Sequence, residues 1–555
     1  MTDLLLGDEA IGLAAVDAGI RGAFSYPGTP ATEIFETIEQ ATAHDGRVAA
    51  RWSANEKVAY EEALGMSFTG HRAIVSMKHV GLNVAADPFM SSALTGVVGG
   101  LVLAVADDPG MHSSQNEQDT RVLGGFAQIP IFEPSNQQEA YDLTREAFRY
   151  SERFGLPVLV RLTTRLAHSR AAVQRSSPDE VRSENSRHGD PKNWTLLPVN
   201  ARRRYRALIE LQKTLEEYAE KSPFNRLSLR GRKGIIAAGL ANNYVREVIG
   251  DETEYSVLKL SVYPVPTELV RRLVDHCDEI LVVEEGFPVI ESALTGLLGV
   301  PGKIIRGRRT GAIPPDGELT VERIRAALNL PDPRRASAAM TNRNTPRAEA
   351  GDAGLNTLDA LDDLPARPPV LCAGCPHCDT FRAIVDALGP EMNPLLFSDI
   401  GCYTLGAMPP YKAVHTCVDM GASISMALGA AKAGAHPILC SIGDSTFTHS
   451  GMTPLLGAAQ ENANMTVVIL DNAIVAMTGG QEGFASGEKL IRLIQGLGVD
   501  ERHIVHFEPL PKNHEENAER IRQEVDYRGL SVIVASRPCI HIKRREGAAP
   551  VTVRV

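Results

Sequence analysis

Short apolar runs alternate with amphipathic stretches along most of the chain. Residues 23–26 are apolar and end in the turn Pro27-Gly28-Thr29-Pro30, after which residues 31–40 repeat with helical spacing. Residues 56–69 have the same period, 73–77 and 101–105 read as strands, 137–154 form an amphipathic helix, and 156–162 close the series. Strands alternating with helices predict a parallel sheet covered on both faces over residues 1–172. Residues 173–193 are polar and read as a linker. Residues 200–220 then form a charged helix, an arm lying over a domain or a partner, within the connecting segment 173–232. A smaller α/β pattern occupies 233–330, with strands at 234–238 and 279–284. Residues 331–368 are rich in Pro, Ala, Asn and charge and read as a flexible linker. A third α/β unit, 369–555, contains apolar strands at 437–442 and 465–470. No short-period repeat is visible.

A chain of 555 residues is too long for one core and fits about three to four domains. The net charge of −11 argues against nucleic-acid binding, which needs a basic face. The run Arg202-Arg203-Arg204 is read as a solvated helix face. The longest apolar stretch, 97–106, is about half a membrane span, so no membrane association is expected. The acidic start MTDLLLGDEA lacks the basic region of a signal peptide. Eight cysteines in so long a chain form no disulfide framework, and a reducing cytoplasm is the expected location.

The chemistry concentrates in SIGDSTFTHSGMTPLLGAAQENANMTVVILDNAIVAMTGGQ. One apolar strand ends in Gly443-Asp444-Ser445, a helix follows, and a second strand ends in Asp471-Asn472. In a parallel sheet both ends lie on the carboxyl edge, where ligands of open α/β sheets bind. A carboxylate and an amide oxygen there suit Mg²⁺ and a diphosphate. A strand-loop-helix crossover with polar ends would read the same way. The arrangement resembles the thiamine diphosphate motif, GDG and a later Asn, with Ser445 replacing the last glycine. That resemblance implies that Gly443, Asp444, Ser445, Asn472 and Ile474 bind the cofactor. Asp444, Asn472 and the Ile474 carbonyl are the implied Mg²⁺ ligands.

Cys372 and Cys375 form C-x₂-C in LCAGCPHC, Cys402 ends FSDIGC, and Cys539 lies in SRPC. Paired thiolates on a tight turn are a half-site for zinc or an iron–sulfur cluster. Spacing alone leaves zinc, a cluster and free thiols open. Cys378 extends the run to C-x₂-C-x₂-C without completing a bacterial ferredoxin pattern. Cys277, Cys417 and Cys440 lie in apolar contexts and are expected in cores.

Taken in order, YPGTPATEIFE, NEKVAYEEALG, MKHVGLNVAADPFM, SSQNEQD, LCAGCPH, DIGCYTLG, MGASISMALG, GDSTFTHSG, ILDN and RPC resemble the alpha subunits of indolepyruvate:ferredoxin oxidoreductases. These belong to the 2-oxoacid:ferredoxin oxidoreductases, and the match runs through almost the whole chain. The resemblance implies three α/β domains of thiamine-diphosphate-enzyme type: pyrimidine-binding (1–172), transketolase-C-like (233–330) and diphosphate-binding (369–555). It implies a [4Fe–4S] cluster on Cys372, Cys375, Cys402 and Cys539. It also implies oxidative decarboxylation of an aryl 2-oxoacid, such as indolepyruvate or phenylpyruvate, to acyl-coenzyme A and CO₂. A smaller beta (gamma-type) subunit in a hetero-oligomer, and ferredoxin or another electron carrier, are the implied partners. Such alpha subunits usually continue into a ferredoxin-like domain, and this sequence reaches Val555 without one. Electrons are therefore expected to leave through a partner subunit or an external carrier.

Glu56 matches the family glutamate beside N1′ of the aminopyrimidine, a position of general acid–base work. Its residue-level alternative is a solvated glutamate favoured by the helix dipole. Glu61 and Glu62 are expected to be exposed. Thr29, Lys78 and His79 offer a hydroxyl, an ammonium and an imidazole suited to a 2-oxoacid, or else a turn residue and a satisfied loop pair. Ser113, Gln115 and Arg121 are candidates for the same cleft. His377 and His449 lie near the cofactor motifs, or serve only as structural hydrogen-bonding residues. A non-redox thiamine diphosphate decarboxylase or carboligase is the alternative enzyme, and a catalytically silent scaffold is the reading from another class.

Overall fold

The computed structural model describes residues 2–179, 191–250, 254–331, 370–389 and 395–542. Most of the two expected linkers, 173–193 and 331–368, lies outside them. The chain separates into two compact units, Met1–Pro346 and Arg347–Val555.

The first unit is built on two main sheets and a two-stranded ribbon. The larger has seven strands in the order Val262–Tyr263, Ile131–Phe132, Val158–Thr163, Leu101–Asp107, Ala73–Lys78, Gly22–Ser25, Ala49–Trp52. All neighbours run parallel except the first pair. Its central strands are buried on both faces, which is why they read as unbroken apolar runs. The smaller sheet has five strands, in the order Ile304–Arg306, Glu279–Val283, Lys233–Ala238, Tyr255–Leu260, Arg226–Ser228, the last antiparallel. After leaving that sheet at Leu260 the chain adds Val262–Tyr263 to the edge of the larger one.

The charged arm is the helix Pro198–Lys221, opened by proline at its first position and buried along Leu208, Leu215 and Ala219. Its spacing of seven and four residues gives one narrow stripe, and the helix touches both Ala86–Thr95 and Thr267–His276. Two elements depart from expectation. Thr2–Leu6 pairs antiparallel with Arg170–Gln174, so residues 173 and 174 are strand rather than linker. Only Val173 of that strand is buried, leaving it no apolar run to read.

The second unit holds one parallel five-stranded sheet, in the order Leu395–Ser398, Ile438–Gly443, Met465–Asp471, Leu530–Ser536, Ile504–Phe507. Its register pairs Gly443 with Leu470 and Asp471 with Ser536. The residues that follow, Asp444, Asn472 and Arg537, therefore leave the sheet along one carboxyl edge. No helix among the described residues is long and apolar enough to cross a membrane.

Candidate active site

The strand Ile438–Gly443 runs straight into a helical turn, Asp444–Thr446. A π-helical turn, Phe447–Gly451, and the helix Met452–Gln460 follow. Single π turns cluster at functional sites. His449 is buried inside this one, with Nδ1 2.5 Å from Ser450 Oγ. Gly443 is required by close approach: a Cβ there would stand 2.8 Å from the Tyr403 ring.

Asp444 is buried, its Oδ1 accepting from Ser445 N and its Oδ2 from Ala473 N, both at 2.8 Å. Burial, and then the Asp471 carboxylate, push its carboxyl up to about 8. Asp471 accepts from Gly487 N and Ser536 Oγ through Oδ2, while its Oδ1 and the hydroxyl of Ser445 have no hydrogen-bond partner. Neither acid has an ion-pair partner among the described residues. Two buried acids side by side cost several kcal/mol unless a cation compensates them. The donors are carboxylate, amide, hydroxyl and carbonyl oxygens, which is the set hard Mg²⁺ takes. The residues present therefore fit a magnesium diphosphate.

Asn472 joins this edge to the cysteines. Its Oδ1 accepts from Ile474 N at 3.1 Å, and its backbone carbonyl accepts from Cys539 N at 3.1 Å. Between them Ala473 takes a left-handed conformation, φ 69°, and turns the chain back toward Asp444. The Asn472 amide Nδ2 donates to Nε2 of His377, 3.4 Å away. That assignment requires a neutral imidazole, and burial followed by the charge of Arg537 holds His377 down at about 4. His377 belongs to the cysteine loop itself.

In that loop Cys375 N donates to Cys372 O at 3.0 Å and Cys378 N to Cys375 O at 3.1 Å, with Pro376 opening the helix Pro376–Leu388. Arg537 reaches back from the sheet edge to Gly374 O and Asp379. Burial, and then Cys378, Cys402 and Cys372, push the Cys375 thiol up to about 12. Cys402 is pushed up to about 11 by burial and then by Cys539 and Cys372. The mutual influence brings the four predicted cysteines into one group. Among the described residues no three cysteine sulfurs lie within 4.8 Å of one another. Zinc–sulfur bonds of about 2.3 Å need sulfurs about 3.8 Å apart, so the group is wider than a zinc tetrahedron. All four donors are thiols, the set an iron–sulfur cluster takes. Cys277 and Cys440 are buried as expected, but Cys417 is exposed. Its neighbour Thr416 turns inward to Ser398, while Cys417 and Val418 both face outward.

In the first unit Asn55 caps the helix Glu56–Phe68 by accepting from Val58 N. Glu56 is buried at 5 % exposure and so is not a solvated helix-end acid, whereas Glu61 and Glu62 are exposed. A Cβ on Gly81 would fall 2.7 Å from the Glu56 carboxyl, so glycine is what leaves it room. Lys78, at the end of Ala73–Lys78, donates to Ser113 O at 3.1 Å and packs on Gly28 of the PGTP turn. Burial pulls the Lys78 ammonium down, against the opposing pull of Asp108 and Glu56. Ser113 Oγ donates to Thr29 O at 3.2 Å. Thr29, Glu56, Lys78 and Ser113 thus form one cluster. His79 is buried, with Nε2 3.1 Å from Asn116 O and Nδ1 without a partner. Gln115 is exposed on the same loop. Arg121 is not a cleft residue. Its guanidinium is buried, donating to Asp119, Glu284 and the carbonyls of Glu285 and Phe287. It ties the two sheets together.

Residues that pattern alone does not single out complete the second unit's edge. Asp399 accepts from Gly421 N, from Ser423 N and Oγ, and from the Tyr403 hydroxyl, fixing the loop that carries Cys402. Asp471 and Arg537 do the same for the two later strand ends. Their visible signal is position: each directly adjoins a motif residue or a strand terminus.

Residues 13–218 match the family described as pyruvate flavodoxin/ferredoxin oxidoreductase, thiamine diP-bdg. Residues 399–525 match the thiamine pyrophosphate enzyme C-terminal TPP-binding domain. Indolepyruvate oxidoreductase subunit IorA of Archaeoglobus fulgidus is 38% identical over 98% of this chain and 88% of that protein. Its counterpart in Pyrococcus abyssi is 37% identical over 97% and 85%. A solved 2-oxoglutarate:ferredoxin oxidoreductase from Magnetococcus marinus shares the fold at TM-score 0.50 and 16% identity, over 59% of this chain and 65% of that one. With thiamine-diphosphate domains in both units and relatives of this identity along nearly its whole length, the chain belongs to the indolepyruvate oxidoreductase subunit IorA family.

Proposed function

We propose that this chain is the catalytic subunit of a multi-subunit enzyme that oxidatively decarboxylates aryl 2-oxoacids of the indolepyruvate type. The products are an acyl-coenzyme A and CO₂. What supports this most is one sheet edge carrying both chemistries: Asn472 accepts from Cys539 N through its carbonyl and donates to His377 of the cysteine loop.

Asp444, Asn472 and the Ile474 carbonyl would hold Mg²⁺ with the diphosphate, relieving the charge of Asp444 and Asp471. When bound, thiamine diphosphate supplies the carbon nucleophile and electron sink that cleavage of a carboxylate from a carbonyl needs. Glu56, kept from water beside Gly81, holds the proton shared with N1′ of the aminopyrimidine. Thr29, Lys78 and His79 bind and orient the oxoacid, the Lys78 ammonium meeting its carboxylate. Cys372, Cys375, Cys402 and Cys539 would hold a [4Fe–4S] cluster, which supplies one-electron chemistry. A smaller beta (gamma-type) subunit and ferredoxin or another carrier complete the enzyme.

Anaerobic purification tests the reading. The protein should contain about four irons per chain and reduce a dye with indolepyruvate, coenzyme A and thiamine diphosphate. Serine at any of the four cysteines should lower iron content and dye reduction together, while Cys378→Ser should lower neither. Zinc in place of iron, with aldehyde released, would establish the non-redox decarboxylase instead.

A further inference from the structure

Away from these residues, three elements of the first unit bring two carboxylates and an imidazole together. Asp8 lies in the first turn of the helix Gly7–Asp17, Glu33 in the first turn of Thr32–Thr42, and His168 ends Thr164–His168. One ligand atom from each lies within 4.8 Å of both others, and His168 Nε2 is 3.5 Å from Glu33 Oε2. The packing that makes this possible rests on two glycines. A Cβ at Gly7 would fall 2.3 Å from Leu166 O, and one at Gly12 would fall 2.8 Å from Ile34 O. Both approaches sit beside the ligand residues they bring close.

Asp8 is fully buried, and neither of its oxygens has a hydrogen-bond partner. Asp8 is the second residue of its helix, where a carboxylate is ordinarily solvated and favoured by the helix dipole. This one faces Glu33 instead, and burial and then Glu33 hold its carboxyl well above the usual carboxylate range. The His168 imidazole is paired with Glu33, which holds the imidazole up and is itself held down by it, so Asp8 is the acid left with no cation of its own among the described residues.

We infer that Asp8, Glu33 and His168 form a binding site for a divalent transition-metal ion. Two carboxylates and a neutral imidazole carry the −2 charge that a divalent ion neutralises. The imidazole favours a transition metal over Mg²⁺ or Ca²⁺, and the two carboxylates admit Mn²⁺. Asp8 forms the floor, while Glu33 and His168, 38% and 35% exposed, leave an entry path and room for bound water. The ion would clamp three elements, one of them the helix Thr32–Thr42 that follows directly on the Pro27–Pro30 turn, which holds Thr29. Its role is to brace that turn rather than to enter the reaction.

The test is Mn²⁺ binding to the full chain, with loosely held metals removed and Mg²⁺ in excess to fill the oxygen-only site at Asp444. Electron paramagnetic resonance of free Mn²⁺ counts the bound ion. Wild-type protein should bind one Mn²⁺ that survives Asp444→Ala. Asp8→Asn and His168→Ala should weaken binding beyond the roughly tenfold that losing an outer-shell partner costs. Mn²⁺ should also raise the Tm of wild-type protein and not of His168→Ala. Equal Mn²⁺ binding by wild type and His168→Ala would overturn the site. So would a Tm that rises in Asp8→Asn and ignores Mn²⁺, since the two acids then merely share a proton. Should Asp8→Asn fail to fold, His168→Ala and Glu33→Gln, at partly exposed positions, carry the comparison.

Discussion

Each unit buries a cluster of acids, and the two clusters differ in how those acids are satisfied. In the first unit Asp107, Asp119, Glu133 and Glu284 surround Arg121 and Arg161, and every acid accepts from a guanidinium. Tyr263 and the backbone N–H groups of Ile290 and Glu291 take further lone pairs, and of the four acids Asp107 alone keeps a buried oxygen without a partner. In the second unit Asp444 and Asp471 lie together with only N–H and O–H donors. Asp471 Oδ1 and Ser445 Oγ are left without any partner. In the first arrangement every acid meets a cation of the protein itself, which serves architecture; in the second neither acid does among the described residues. Burial of charge alone does not mark a site, but burial of charge that the chain leaves uncompensated does.

The sharpest way to break this comparison is to remove one acid from the second cluster. Asp444→Ala should abolish Mg²⁺-dependent thiamine diphosphate binding in calorimetry and lower activity by about a thousandfold or more, with the fold intact by circular dichroism. Unchanged affinity would show that the uncompensated pair is not a metal site. The matching change in the first cluster should act on folding instead. Arg121→Ala leaves Glu284 without an ion-pair partner and Asp119 with Arg161 alone, and should destabilise the protein by about 3–5 kcal/mol, read as a lowered denaturation midpoint. Thiamine diphosphate affinity of the folded fraction should stay the same.

This contrast was only partly legible in the sequence. Central strands such as Leu101–Asp107 and Met465–Asp471 stood out because burial on both faces demands unbroken apolar runs. The edge strand Ala49–Trp52 did not, since alternate residues face solvent and nothing in AARW is a continuous run. The pairing of Thr2 with Gln174 joins segments at opposite ends of the domain's sequence, which no local pattern encodes. At the candidate site, Asp444, Asn472 and the cysteines were legible because their spacing is tied to strand ends. Arg121 is hard to place for a physical reason: an arginine in a polar loop looks the same whether it faces a cleft or three acids, one in its own loop and two from other segments. Asp471 stands beside Asn472 in the motif, but it is strand register, not residue type, that makes it the companion of Asp444.

Glu56 sharpens the comparison from a third direction, as a buried acid set apart by a glycine. Glu56→Gln keeps the size and the burial beside Gly81 but cannot share a proton as a carboxyl does. Thiamine diphosphate should remain bound, while hydrogen–deuterium exchange at its thiazolium C2 slows by about a hundredfold or more. Exchange at the wild-type rate would assign Glu56 to packing.

The smallest effect is expected at Asp399, a buried acid that is hydrogen-bonded on all sides yet has no cation. Burial outweighs those bonds and raises its carboxyl from 3.8 to about 6 in the folded protein. Between those values the folded state holds a proton that the unfolded chain has released. The stabilisation from that proton is complete below the ordinary carboxylate range and is lost as pH rises through about 6. Asp399→Asn can still accept from Gly421 and Ser423 through Oδ1 and, with the Tyr403 hydroxyl reversed, donate to it, but it cannot ionise. Denaturant midpoints measured from pH 5 to pH 8 should fall more steeply in wild type than in the variant. Over that window the gap should be on the order of 1.5 kcal/mol. Using the difference between the two proteins removes the parallel contribution of Asp444, which is raised by the same cause. Superimposable profiles would mean that the four hydrogen bonds hold the carboxylate ionised, and that Asp399 belongs with the self-sufficient acids of the first unit.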